Sequence, residues 1–413
     1  MIAQVIINSN VKQLNKEFDY NIPERLKNKV HIGSRILIPF GRNKKQEGFV
    51  IAIKNNSEFK VKDILDVEDE EYITKERINL AEWMARRYFC NVSDCIKLML
   101  PPGTTSRIVA NRIKERTMKF ANIIDKNIEE KEVRTDKQKR VLKFLRENGE
   151  TLISDLECLT DSSLAVIKNL YNKGYIKIEE KQVERNPFIN KKIQRDKKLE
   201  LNIEQKHAYN YICTAIVNKK YEEFLLFGVT GSGKTEIYLQ VIEKVLNSDK
   251  TSIMLVPEIS LTPQTVNRFI ARFGAENIAV LHSKLSMGER FDQWNRIKCG
   301  KAKIVIGARS ALFAPIDKLG LIIIDEEHDS SYKSEMSPRY HAKEVSRKIA
   351  KENNIPLILG SATPELGSYY RAEKKEICLL ELKNRANRGN LPEVEIVDLK
   401  KELANGNRSM ISV

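Results

Sequence analysis

Phe224-Leu-Leu-Phe227 runs directly into Gly228-Val229-Thr230-Gly231-Ser232-Gly233-Lys234-Thr235, and then into Ile237-Tyr-Leu-Gln-Val-Ile242. An apolar run short enough for a buried strand, a glycine-rich turn and an amphipathic helical pattern stand here in the order of a phosphate-binding loop. Glycines let successive backbone N–H groups wrap phosphate oxygens at a helix N-terminus. The Lys234 ammonium neutralises the β and γ charges, and Thr235 offers its hydroxyl to Mg²⁺. Residues 228–235 are therefore the expected nucleotide cradle.

The partner of such a loop is an acid at the end of a neighbouring strand. Leu321-Ile-Ile-Ile324 ends in Asp325-Glu326-Glu327-His328, 91 positions beyond Lys234. Strand ends are where α/β sheets present ligands. Asp325 is placed to hold Mg²⁺ through its water shell, and Glu326 to orient and deprotonate an attacking water. Glu327 and Asp329 are open to a plainer reading, as acids capping an exposed turn.

Outward from these motifs, strands and helices alternate over residues 200–380. Phe224–Phe227, Ser252-Ile-Met-Leu-Val256, Ile304-Val-Ile306, Leu321–Ile324 and Leu357-Ile-Leu359 are the expected strands of a parallel sheet covered on both faces. Upstream, Val5-Ile-Ile7, Arg35-Ile-Leu-Ile38 and Gly48-Phe-Val-Ile-Ala-Ile53 predict a small β-rich domain over residues 1–103. The helical pattern Ile78–Phe89 follows, and Pro101-Pro102-Gly103 closes the domain. Residues 104–133 read as a linker. Over 134–185, three helical patterns and the alternating Tyr175-Ile-Lys-Ile178 predict a winged helix, a module that contacts either DNA or protein. Residues 186–199 read as a second linker, and 381–413 as a segment leading out of the α/β unit.

Lys and Arg outnumber Asp and Glu by 71 to 56, a net charge of +15. A polyanionic partner is favoured through counterion release. The six cysteines are scattered without zinc-finger spacing, which argues against a metal site or a disulfide framework and fits a reducing cytosol. No run of about 18 apolar residues predicts a membrane span.

Asp325-Glu-Glu-His328 resembles the Asp-Glu-Ala-His box of superfamily 2 helicases, and the other pieces follow that superfamily's order. Gln205 resembles the glutamine that reads adenine. Leu255-Val-Pro-Glu258 through Gln264, Gly307-Ala-Arg309-Ser310 and Gly360-Ser-Ala-Thr363-Pro364 resemble the DNA-gripping and coupling motifs, with Arg309 facing a phosphate. More narrowly, the chain resembles the bacterial primosomal replication-restart helicase family, PriA, over essentially all of its length. Gly228–Tyr238, Asp325–Lys333, Arg339-Tyr-His-Ala342 and Gly360–Pro364 carry that resemblance.

The resemblance implies a multidomain α/β protein: a small β-rich N-terminal DNA-binding domain, a winged-helix domain and a RecA-like helicase lobe 1, with lobe 2 absent. It implies ATP and Mg²⁺ as cofactors. Lys234, Asp325, Glu326 and His328 would be catalytic. Tyr332, Lys333, Arg339 and Tyr340 would form an aromatic-rich loop that senses single-stranded DNA. Phe18, Asp19, Tyr20, Gly41 and Lys62 would form a pocket for the 3′-OH end of a leading strand, with an aromatic ring on the terminal base and Asp19 accepting from the hydroxyl.

The family's second lobe and cysteine-rich zinc module are not represented, so the chain reads as a truncated fragment. The intact protein would be a 3′-to-5′ ATP-dependent DNA helicase that binds zinc and recognises stalled forks, with primosome proteins and single-stranded DNA-binding protein as partners in the bacterial cytoplasm. Two other readings stand beside this one: a non-catalytic fork-binding module, and another superfamily 2 translocase.

Overall fold

The computed structural model describes the chain except residues 10, 42–43, 69–72, 104–116, 125–132, 134, 183–194, 387–395, 405 and 407–413. Three sheets organise what it describes. The first contains β1 (Ile2–Ile7), β2 (Glu17–Asn21), β3 (Arg35–Phe40), β4 (Lys44–Lys54), β5 (Lys62–Asp63) and β6 (Asp66–Val67), in the order β5-β2-β1-β4-β3-β6. Alternation puts Val5, Ile36, Ile38 and Val50 into its core. Two helices follow, α1 (Lys75–Tyr88) and α2 (Val92–Leu98).

The second sheet corrects one sequence expectation. β7 (Thr117–Ile123) lies within the stretch expected to be a linker, yet it pairs antiparallel with β9 (Ile176–Gln182) from Thr117 opposite Gln182 to Ile123 opposite Ile176. Ala121, Ile123 and Val133 reach the core beneath it. Basic residues around this short run masked its alternation. Between the strands lie α3 (Asp136–Asn148), β8 (Thr151–Leu152), α4 (Ile153–Thr160) and α5 (Leu164–Asn172), the helices of the winged-helix expectation. Thr135 caps α3 by accepting from the Gln138 N–H. The rest of the 104–133 stretch, most of 186–199 and most of 381–413 lie outside the described residues.

The third sheet is parallel throughout. After α6 (Ile203–Val217) come β10 (Glu223–Gly228), α7 (Lys234–Leu246), β11 (Thr251–Leu255), α8 (Pro263–Phe273), β12 (Ile278–Leu281), α9 (Met287–Lys298) and β13 (Ile304–Gly307). A 3-10 helix (Arg309–Phe313), β14 (Leu319–Ile324), α10 (Ala342–Asn353), β15 (Leu357–Ser361), α11 (Leu366–Glu373) and β16 (Cys378–Leu382) complete the unit, and α12 (Leu399–Ala404) follows. The order is β12-β13-β11-β14-β15-β10-β16. The five expected strands are its centre. The edge strands β12 and β16 were not read from the sequence, and β16 carries the unit two residues past 380. With both faces covered, residues such as Leu225, Leu226, Ile322 and Ile323 are wholly buried, each stabilising the fold by about 1.5–3 kcal/mol.

The first and third units share a core. Ile78, Ala81 and Met84 of α1 belong to the same apolar cluster as Leu312, Phe313 and Val345. This packing fixes where α1 sits on the lobe.

Candidate functional sites

The loop after β10 has the backbone its sequence demands. Gly231 and Gly233 take φ of 80° and 86°, and a side chain at Gly233 would meet the Gln205 amide nitrogen 2.3 Å from its Cβ. Lys234 opens α7, with Nζ donating to the Gly228 carbonyl at 2.7 Å. Burial lowers its pKa, while Glu326 and Asp325 pull it back up. Gln205 is buried; its Nε2 donates to the Ser232 carbonyl at 2.8 Å and its Oε1 accepts the Asn202 N–H at 2.9 Å. It therefore braces the loop as well as facing it. These two bonds use one N–H and one lone pair of that amide.

Asp325 sits at the end of β14, where burial, followed by the neighbouring Glu326, pushes its carboxyl up to about 6. Its Oδ1 accepts from the Tyr238 hydroxyl at 3.0 Å. That bond exists because residue 360 is glycine: a Cβ there would lie 1.7 Å from the Tyr238 oxygen. Glu326 is held at φ 44°, a left-handed conformation that costs a non-glycine residue about 1–3 kcal/mol and gathers at functional positions. His328 Nδ1 lies 2.8 Å from Ser361 Oγ and 3.6 Å from Glu326 Oε2, which puts the acidic box in contact with the motif on β15.

The chemistry of this donor set fits a magnesium nucleotide. Open glycine backbone, one ammonium, a threonine in the first turn of α7 and a strand-end carboxylate lie at the carboxyl ends of the sheet.

Glu327 is no exposed cap. It is wholly buried, pairs with Lys343 at 2.7 Å, and accepts from the Glu365 N–H at 2.7 Å and Ser368 Oγ at 2.9 Å. Lys343 also pairs with Glu365. Sequence spacing gave no signal for this network, which joins the box to α10 and α11.

In the loop after the box the tyrosines are packed inward and the cations face outward. Tyr332 and Tyr340 are 1% and 3% exposed, so neither ring is a base platform in this conformation. Tyr332 donates its hydroxyl to the Asp325 carbonyl at 2.6 Å, and Tyr340 packs edge-on against Phe313, centroids 5.1 Å apart. Arg309 Nη1 donates to the carbonyls of Ser331 and Lys333, both at 2.8 Å, so part of its guanidinium shapes the loop. Lys333 and Arg339 are exposed cations on its surface.

In the N-terminal sheet, Asp19 accepts from Ser57 Oγ at 2.6 Å and pairs with Lys54 at 2.8 Å. Burial raises its pKa, but the bonds from Lys54 and Ser57 more than offset this and hold the carboxyl below the usual carboxylate range. Phe18 is half-buried, edge-on to Phe40 at 5.7 Å, with Lys16 above its ring at 5.4 Å. Tyr20, expected in the pocket, is 5% exposed and donates to the Pro39 carbonyl at 3.2 Å, a support beneath the site. Lys62 stands beside it in register on β5, and Gly41 turns at φ 65° with open space around it. Lys54, Ser57 and the three-quarters-exposed Phe59, whose N–H donates to Ser57 Oγ at 3.3 Å, were missed because they come from the end of β4 and the loop after it, far from Asp19 in sequence.

Comparison with known proteins follows the same division. Residues 4–101 match the 3′ DNA-binding domain (3′BD) family of PriA, and residues 198–366 match the family described as type III restriction enzyme, res subunit. The chain is 39% identical to "Replication restart protein PriA" of Bacillus subtilis, over 100% of this chain and 59% of the relative. It is 36% identical to the protein of that name from Chlamydia muridarum, over 98% of this chain and 54% of the relative. A solved structure of RecG bound to a three-way DNA junction aligns over 47% of this chain and 25% of its own, with 22% identity and a TM-score of 0.36. The chain spans somewhat more than half the length of the curated relatives it matches.

Proposed function

From a chain that belongs with the PriA replication-restart proteins, we propose an ATP- and Mg²⁺-binding motor lobe joined to a reader of DNA 3′ ends, acting at stalled or abandoned replication forks. The observation that carries the nucleotide half is the placement of Lys234, at the end of the turn after β10, and of the Asp325–Glu326 pair, directly after β14, at the carboxyl end of one parallel sheet.

Residues 228–235 would hold the phosphates, Lys234 would neutralise them, and Thr235 and Asp325 would hold Mg²⁺. Bound magnesium supplies charge neutralisation of the phosphoryl oxygens. Glu326 would orient the attacking water and take its proton, and His328 would relay the state of the box to Ser361. Gln205 would read the adenine edge with its remaining donor and acceptor.

The DNA half rests on Asp19. An ionised carboxylate accepts from a free 3′-OH, whereas a 3′-phosphate brings repulsion. Phe18 and Phe59 offer ring faces, and Lys62 and Lys16 offer phosphate contacts. Arg309, Lys333 and Arg339 would track single-stranded DNA electrostatically, with Tyr332 and Tyr340 acting from beneath. In the intact protein we expect 3′-to-5′ DNA unwinding, reloading of the replicative helicase with primosome proteins and single-stranded DNA-binding protein, zinc held outside this chain, and a place in the cytoplasm. Among the described residues no helix is long and apolar enough to cross a membrane.

The test is equilibrium binding of a fluorescent ATP analogue in Mg²⁺, with Lys234→Ala as control and forked DNA as second ligand. Saturable binding lost in the variant supports the reading. Binding indifferent to Lys234 removes it.

A further inference from the structure

We infer that helix α1 couples the DNA-end pocket to the acidic box, with Arg77 and Tyr88 as positioning residues at its two ends. The inference rests on the two-ligand reading above.

At the start of α1, Arg77 donates to the carbonyls of Phe313, at 3.0 Å, and Ala314. These carbonyls close the 3-10 helix that Arg309 opens. Arg309 holds Ser331 and Lys333, and between them Tyr332 holds the Asp325 carbonyl. At the end of α1, the Tyr88 hydroxyl donates to Glu344 at 2.9 Å and accepts the His341 N–H at 3.3 Å, while Arg87 pairs with Glu344 at 3.0 Å. Lys333 Nζ stands 5.7 Å from the centre of the Tyr88 ring. His341 caps α10 by accepting the Lys343 N–H, and Lys343 pairs with Glu327.

Two routes thus leave one helix and arrive at Asp325 and Glu327, either side of Glu326. The edge contact of Phe313 with Tyr340 ties them together. Because α1 shares one apolar cluster with Phe49 and Ile51 of the N-terminal sheet, a shift of that sheet on binding DNA has a packed route to both grips and to the box.

Such contiguity becomes coupling only if each ligand biases the same element, and coupling is reciprocal. The experiment measures the affinity of the whole chain for a fork with a 3′-OH leading end, by anisotropy, with and without a saturating non-hydrolysable ATP analogue and Mg²⁺. The wild type should show a ratio of about fivefold or more, and the same factor should appear in analogue affinity when the fork is saturating. Tyr88→Phe and Arg77→Met should each cut the ratio below about twofold, with each ligand alone bound as in the wild type and thermal melts showing folded protein. If Arg77→Met does not fold, Tyr88→Phe decides.

An unchanged ratio in the folded variants overturns the inference. So does a wild-type ratio of one when both ligands bind. Failure of the wild type to bind either ligand alone is a different result: it sinks the two-ligand reading, and the inference falls with it.

Discussion

The lobe site and the DNA-end pocket are built in opposite ways. Around Asp325 the functional atoms are fixed from below by buried groups: Tyr238 on the carboxylate, Tyr332 on its carbonyl, and Glu327 inside a closed network with Lys343 and Glu365. Around Asp19 the partners come from the sheet's rim, with Lys54 about one-third exposed and Phe59 largely so. A buried frame presents a strained residue such as Glu326 without losing it, and damage to that frame costs folding energy. A rim site is changed with little effect on the fold, so its damage appears in binding alone.

The contrast is sharpest for Lys343→Met, which leaves Glu327 buried without its cation. The expected loss is about 3–5 kcal/mol of unfolding free energy, read by denaturant titration. A loss below about 1 kcal/mol would break the comparison on the lobe side.

Lys234→Ala comes next and acts on binding alone. Loss of a charge-assisted contact should weaken a fluorescent ATP analogue by tenfold to about a hundredfold in Mg²⁺.

Glu223, which opens β10 and is buried against Arg347 and Arg371, tests the buried side of the lobe by pH. Although burial pulls its pKa up, Arg347 and Arg371 hold it below the usual carboxylate range. A depressed acid stabilises the fold above its unfolded pKa and ceases to do so as pH falls through the folded value. The stability gap between wild type and Glu223→Gln should be full near neutrality and narrow below about pH 4.5, the unfolded range of a glutamate. A gap constant from neutral to acid pH contradicts this.

Smallest of all, Phe59→Ala should leave the melting temperature unchanged and weaken binding to a 3′-OH end by about fivefold to tenfold, the worth of one modest base stack.

What was legible in the sequence follows the same division. The nucleotide loop and the acidic box could be read because their chemistry needs particular residues in contiguous order on a strand–turn–helix or at a strand end. Asp19 was named only through family resemblance, since a lone acid between aromatic residues has no local signature. Tyr238 closed a quoted motif without a role, because its bond to Asp325 spans 87 positions. Glu327 was open to reading as surface because nothing near it in sequence announces Lys343 or Ser368. The tyrosines at 332 and 340 illustrate the converse. An aromatic in a polar loop suggests a stacking platform, but packing against Asp325 and Phe313 decides, and packing is a tertiary fact. The edge strands β12 and β16 went unread although β13, no longer than either, was read.

The most direct test of the central claim is fluorescence anisotropy of this chain, and of its Asp19→Ala variant, on forks whose leading strand ends in either 3′-hydroxyl or 3′-phosphate at fixed salt. The account predicts a preference for the hydroxyl of about tenfold, abolished by the substitution, with nucleotide binding intact in both proteins. Equal affinity for the two ends in the unsubstituted chain would contradict it.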